Sequence, residues 1–357
     1  NSTYINKMPS LACLSSRQSN PSQRVLEVQA SPNRNTELML GLASNNYGEH
    51  DLFMSLWAKN DKKLKYFSLK QEISKSGFYF LGNGISPSLF FGNNEMNTSF
   101  SNTFGGSFNY GSPFLDFASS GSFIGGGISV GNNSTISGVY FKGNHEEQDS
   151  TVIKLPSSSG LLLEIKENSI DSSLSLQVGL LKEPNSLLGS SFNGGYGSID
   201  ETQTYFLGVQ ASHAFSRFYT TGSVFFGETH ANLSETGLIN SVNKFTSSSF
   251  NLGIFKNGLL NSLDSFGFKI TQPLRLEEAD IKLSIPVGRT KYREVLFEDY
   301  NLSLTPSGRE VRAEFIYQRP TSNGNLYASF GYIKDQGHMS SDKVEPYIAA
   351  NWQFYLF

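Results

Sequence analysis

From Phe114 onward, segments of about ten residues recur in which apolar and polar side chains alternate with a period of two, separated by clusters of turn formers. In "SLSLQVGL", Leu174, Leu176, Val178 and Leu180 point one way and Ser173, Ser175, Gln177 and Gly179 the other. "TYFLGVQA" sets Tyr205, Leu207, Val209 and Ala211 against Thr204, Gly208 and Gln210, with Phe206 as the one interruption. "SFGFKI", "ADIKLSIP" and "NLYASFGY" repeat the pattern, and "REVRAEFIYQ" puts Val311, Ala313, Phe315 and Tyr317 opposite Glu310, Arg312 and Glu314. Successive side chains of a strand leave opposite faces, so each segment predicts a β-strand with one apolar face.

The connections alternate in length. "ENSID" and "HAFSR" are tight, whereas 183–201 and 228–244 are long and polar. Short turns on one rim and long loops on the other predict an all-β, antiparallel up-and-down barrel that crosses a membrane on about 12 strands, or 14. A soluble sheet with one face in a core is the alternative that alternation alone allows. The large Leu, Ile, Val, Phe and Tyr faces and the aromatic last strand favour lipid outside and water inside. The charges opposite the apolar faces then line a lumen: Glu164, Lys166, Lys269, Asp280, Lys282, Glu310, Arg312 and Glu314. Arg309 is expected to pair with Glu310 or Glu314 there. The ending "EPYIAANWQFYLF" resembles the terminal strand by which bacterial outer-membrane barrels are recognised by their assembly machinery, with Tyr355 and Phe357 at the signal positions.

Composition agrees. Of 357 residues 13% are aromatic and 17% charged, with 34 glycines, a mixture of strand and turn formers. No run of about 18 apolar residues offers a membrane helix. A net charge of −3 without a basic, aromatic-interleaved stripe excludes nucleic acid as the expected partner. The lone Cys13 excludes an intrachain disulfide framework and a cysteine-built zinc site. The five histidines lack ligand spacing, "HEEQD" (His145–Asp149) reads as an exposed charged loop, and the Gly-rich "IGGGISVG" lacks the Lys-Ser/Thr of a phosphate loop, so no metal or cofactor is expected. Residues 1–111 read as an irregular linker, passenger remnant or stalk, and 112–357 as the barrel. The opening "NSTYINKMPS", without Met, reads as a processed or trimmed start.

Four phrases, "GLLKEPNSLLGSSFNGGYG", "ITQPLRLEEADIKLSIPVGR", "LSLTPSGREVRAEFIYQRP" and "DQGH", resemble the C-terminal translocator of autotransporters whose passenger is a subtilisin-like serine peptidase, and "SPFLDFASSGSFIGGGISVG" is more weakly similar to the start of that region. The resemblance covers Ser112 to Phe357. It implies type V secretion: a barrel in the outer membrane of a Gram-negative bacterium that exports or displays an N-terminal passenger, with lipids, the assembly machinery and its own passenger or other surface proteins as partners. No nucleophile motif of a serine peptidase occurs in the chain, so no enzyme activity is expected. A porin-like channel, or a membrane-anchored structural or adhesive surface protein, fits the same residues.

Overall fold

The computed structural model describes residues 13–14, 24–33, 35–44, 62–74, 76–92, 111–118, 121–143, 157–191, 199–233, 238–260, 263–321 and 324–355. The chain starts with β1 (Cys13–Leu14), β2 (Arg24–Asn33), β3 (Thr36–Ser44), β4 (Lys62–Ser74) and β5 (Gly77–Asn83). Two one-turn 3-10 helices, Pro87–Phe90 and Leu115–Ala118, precede β6 (Ser122–Val130), β7 (Ser134–Lys142), β8 (Ser159–Asn168) and β9 (Ser172–Pro184). The short β10 (Ser186–Leu187) and β11 (Ser190–Ser191) pair with each other. Then come β12 (Ile199–Phe215), β13 (Phe218–Leu233), β14 (Ile239–Val242), β15 (Phe245–Asn257) and β16 (Ser265–Glu278). Last are β17 (Asp280–Arg289), β18 (Val295–Ser303), β19 (Val311–Thr321), β20 (Gly324–Lys334) and β21 (Val344–Tyr355).

Sixteen strands form one sheet in the order β1-β21-β20-β19-β16-β15-β13-β12-β9-β8-β7-β6-β5-β4-β3-β2. Neighbours pair antiparallel, so the all-β, up-and-down class is as expected. At one end β1 pairs with β21 through Cys13–Tyr355 and Leu14–Phe354, and it also sits beside β2, which brings the two edges together. The sixteen include the two-residue β1, and β1 to β5 belong to the same sheet as the later strands. The boundary expected at 111/112 is therefore not a boundary of the sheet. Tight turns (β8–β9 at 169–171, β12–β13 at 216–217) lie on one rim and long connections on the other, in line with the spacing. No helix among the described residues is long and apolar enough to cross a membrane.

The faces decide the solvent. Leu163 is 59% exposed, whereas Glu164, the next residue, is 3% exposed. The same inversion runs along β9, where Leu174, Leu176 and Val178 are exposed and Ser175 and Gln177 buried, and along β12, where Tyr205, Leu207 and Val209 are exposed and Thr204 and Gln210 buried. A soluble sheet would bury the leucines; a row of buried Ser, Thr and Gln is costly unless water reaches it. A sheet wrapped around a wet interior and facing hydrocarbon outside accounts for both.

Aromatic side chains of the inner face lie over glycines directly opposite on the neighbouring strand. Phe80 covers Gly125, Phe141 covers Gly160, Phe206 covers Gly179 and Phe225 covers Gly208. A Cβ at Gly208 would stand 2.2 Å from Phe225 Cε1. The same packing explains the glycine run of "IGGGISVG": three of its glycines sit in β6, and Gly125 and Gly127 make room for Phe80 and Phe78.

A second, three-stranded sheet, β14-β17-β18, stands on the long-loop side. Its base packs Ile281 and Leu283 with Leu187, Ile199, Phe245 and Ala279. Two expected lumen charges are therefore misplaced. Asp280 and Lys282 belong to this loop sheet, where Lys282 Nζ pairs with Asp299 Oδ2 at 2.8 Å. Leu163→Arg is expected to destabilise the barrel in bilayers by about 2–4 kcal/mol, and Gly208→Val by about 1–3 kcal/mol through overpacking against Phe225. Urea titration of folding into lipid vesicles measures both; wild-type midpoints would contradict the assigned faces.

Candidate functional site

The connection between β5 and β6 turns inward. Its described parts, 84–92 and 111–118, carry Ile85, Phe91, Phe114 and Leu115, which have no apolar place in a polar loop outside the barrel. They bury themselves against inner-wall Phe80, Phe123, Phe141, Leu162, Phe206 and Phe225. Phe80 stacks on Phe90, and Phe114 on Phe206, each with ring centroids 4.5 Å apart. Such ring pairs add to the burial of their area. Ser86 starts the first helical turn by accepting from Ser88 N at 3.2 Å, ahead of Pro87. Its hydroxyl also reaches Asp116 Oδ1 at 3.1 Å, tying the two parts together.

One polar anchor fixes this segment to the wall. Glu164 Oε2 accepts from Gly92 N, Ser175 Oγ and Gln177 Nε2, each at 2.6 Å. Gly92 has φ +74°, and a Cβ there would lie 2.0 Å from Gln210 Oε1, so only glycine fits. A buried carboxylate with three donors is a strong, directional tie.

Across from the anchor the wall is charged. Lys269 of β16 with Arg312 and Glu314 of β19 lines a cavity of about 230 Å3, and Pro113 and Asp116 of the inward segment close its other side. Glu314 accepts from the Tyr347 hydroxyl. At this cavity, cations and a carboxylate from the wall thus face a carboxylate carried inward.

Above it, at the long-loop rim, Glu310 accepts from Arg312 Nε and, at 2.6 Å, from Gly337 N. His338 Nδ1 accepts from Glu310 N at 3.0 Å, and its Nε2 lies 3.1 Å from Leu274 O. That pattern needs a neutral ring with its proton on Nε2. Burial lowers the His338 pKa from its ordinary 6.5, against the raising effects of Leu274 O and Glu310. Asp335, directly after β20, accepts from Ser341 N at 3.0 Å and Arg309 N at 3.3 Å, which holds its carboxyl below the ordinary value. The phrase "DQGH" is thus the clasp of this rim.

Six of the eight charges expected in the lumen lie on the inner face or its rim: Glu164, Lys166, Lys269, Glu310, Arg312 and Glu314. Arg309 does not pair with Glu310 or Glu314; it makes an ion pair with Glu277 at 2.6 Å and donates to Gln272 Oε1 at 2.5 Å. Tyr355 is the last residue of β21, opposite Cys13. Phe357 and the loop 145–149 lie outside the described residues. Sequence reasoning missed the inward segment, although "SPSLFFG" joins a capping Ser-Pro to three apolar side chains with no alternation, a signal that they serve no strand.

No family model and no curated protein matches the chain. Among solved structures it is similar to OmpT, an outer membrane protein of Vibrio cholerae in trimer form, with TM-score 0.53 and 10% identity over 94% of this chain and 91% of that one. It is likewise similar to the anion-selective porin from Comamonas acidovorans, with TM-score 0.52 and 10% identity over 93% and 88%. By fold the chain is an outer-membrane β-barrel. At that identity the likeness is one of architecture, and this barrel's interior must be read from its own residues.

Two outcomes are expected of the barrel's interior. Glu164→Ala leaves three donors without their acceptor and loosens the inward segment, a loss of about 1–3 kcal/mol readable as a lower thermal midpoint. The rim clasp weakens with acid. As pH falls from 6.5 toward the lowered folded value, the unfolded chain takes up the imidazole proton first, so the stability His338 contributes is complete above 6.5 and declines below it. Limited proteolysis of residues 303–310 at pH 8 and pH 5 checks this, and His338→Gln should flatten the difference.

Proposed function

We propose that the chain is a porin-like channel of the outer membrane of a Gram-negative bacterium, passing small hydrophilic solutes through a lumen narrowed between residues 111–118 and the wall that carries Lys269, Arg312 and Glu314. The observation that carries this reading is the inward segment itself: an aromatic plug of the wall's concave side that leaves a charged gap beside it. A barrel closed from a sheet of this many strands is too wide for side chains to fill, which supports an aqueous passage. The chain's work is then done by shape and charge, with no catalytic residue. Its partners are outer-membrane lipids and, through the terminal strand with Tyr355 and Phe357, the barrel-assembly machinery.

The translocator reading rests on the resemblance over Ser112–Phe357. It leaves Arg24–Asn33, Thr36–Ser44, Lys62–Ser74 and Gly77–Asn83 unassigned, whereas these strands are built into the same sheet as β2 to β5. That favours the channel. In planar bilayers the purified chain is expected to give steady, ohmic currents. Lys269→Glu with Arg312→Glu is expected to move the reversal potential in a salt gradient toward cation preference, because both side chains line the gap. Absent or only flickering current, or an unmoved reversal potential, would overturn the channel.

A further inference from the structure

The β17–β18 hairpin changes character along its length. At its base the side chains are satisfied: Ile281 and Leu283 pack in the loop core, Lys282 pairs with Asp299, and Ser284 donates to Asp299 Oδ1 at 2.5 Å. Toward the tip no described residue covers it. Val287 is 55%, Phe297 59% and Tyr292 85% exposed, and all nine residues of β18 are exposed. Beyond this apolar section the sequence reads "RTKYRE", three cations against one carboxylate. None of Arg289, Lys291 and Arg293 has an ion-pair partner among the described residues. The tip nonetheless carries its own hydrogen bonds. Thr290 N donates to Glu294 O at 2.8 Å and Arg293 N to Thr290 O at 3.0 Å, while Thr290 Oγ1 accepts from Tyr292 N and Glu294 N. Arg293 sits at φ 68° to complete the turn.

We propose that this hairpin is a docking finger for the phosphate-bearing headgroup layer of the leaflet around the barrel. The inference rests on the membrane reading of the barrel but not on the channel. Water alone disfavours the bare Val287, Leu296 and Phe297, and hydrocarbon alone disfavours Arg289, Lys291 and Arg293. An interface offers both surroundings within one hairpin's length: apolar side chains and the Tyr292 ring enter the acyl boundary, and the Arg and Lys heads reach phosphate. A second copy adding to the free edge of β18 is the competing occupant. Two such strands pairing antiparallel about their middle would set Asp299 against its own counterpart, a like-charge arrangement that disfavours it.

The test uses the whole chain with Tyr292→Trp, read as a difference from the parent, in nanodiscs of phosphatidylcholine with and without phosphatidic acid. Heat-modifiable migration on a detergent gel first shows that the barrel is folded and embedded, so a failure of the membrane reading is seen separately. Phosphatidic acid is expected to shift the emission of the introduced indole to the blue and to reduce its acrylamide quenching about twofold. High salt, or Arg289→Gln with Lys291→Gln and Arg293→Gln, is expected to abolish the change. Identical spectra in both discs would overturn the proposal. So would a blue shift already present in detergent that grows with protein concentration, which would assign the hairpin to a second copy.

Discussion

Everything in this molecule follows from the demand that no backbone N–H or C=O be left unpaired in hydrocarbon. A strand cannot satisfy its own backbone, so each must have a neighbour on both sides, and the sheet must meet itself. That is why a two-residue pairing as slight as Cys13–Leu14 with Phe354–Tyr355 matters: it lies where the edges β21 and β2 come together. Once the ring is set, the pleat assigns every side chain to lipid or to lumen. The alternation of Leu163 with Glu164, or of Val209 with Gln210, is the chemical consequence.

A ring of this girth creates a second problem, since its interior is wide enough to stay wet. The chain meets it by building its largest apolar cluster between a loop and the concave wall, where most proteins place theirs between sheets or helices. The wall is prepared for this. Glycines opposite Phe80, Phe141, Phe206 and Phe225 let those rings lie flat, and the flat rings give Phe90, Phe91 and Phe114 a surface to pack on. Glu164 adds direction to what would otherwise be a nonspecific apolar contact.

The class of fold was legible because the lipid face tolerates only apolar residues, so β8, β9, β12, β19 and β20 write their period plainly. The first strands were harder to read. β4 reads "KKLKYFSLKQEIS", with lysines on both sides of the pleat, and its pairing with β3 slips at Gly41/Leu42, which breaks a simple period. Asp280 and Lys282 failed for a different reason. Alternation reports two unlike faces but not which sheet the strand joins, and β17 found its partners in β14 and β18. The inward segment was hidden because its meaning lies in distant residues: Gly92 needs Glu164 and Gln210, and Phe114 needs Phe206.

On the channel reading proposed above, the charges beside the gap also set what would pass it. Lys269 and Arg312 stand beside Glu314 and below Glu310, with Asp116 across the gap, so opposite signs are interleaved over a few residues. Interleaved charges give a weak net potential along the pore but a strong field across it. On that reading the passage discriminates little by the sign of a solute's charge. It favours small polar molecules that can align their dipoles, and it opposes apolar ones, which would strip water from both walls without replacing its hydrogen bonds.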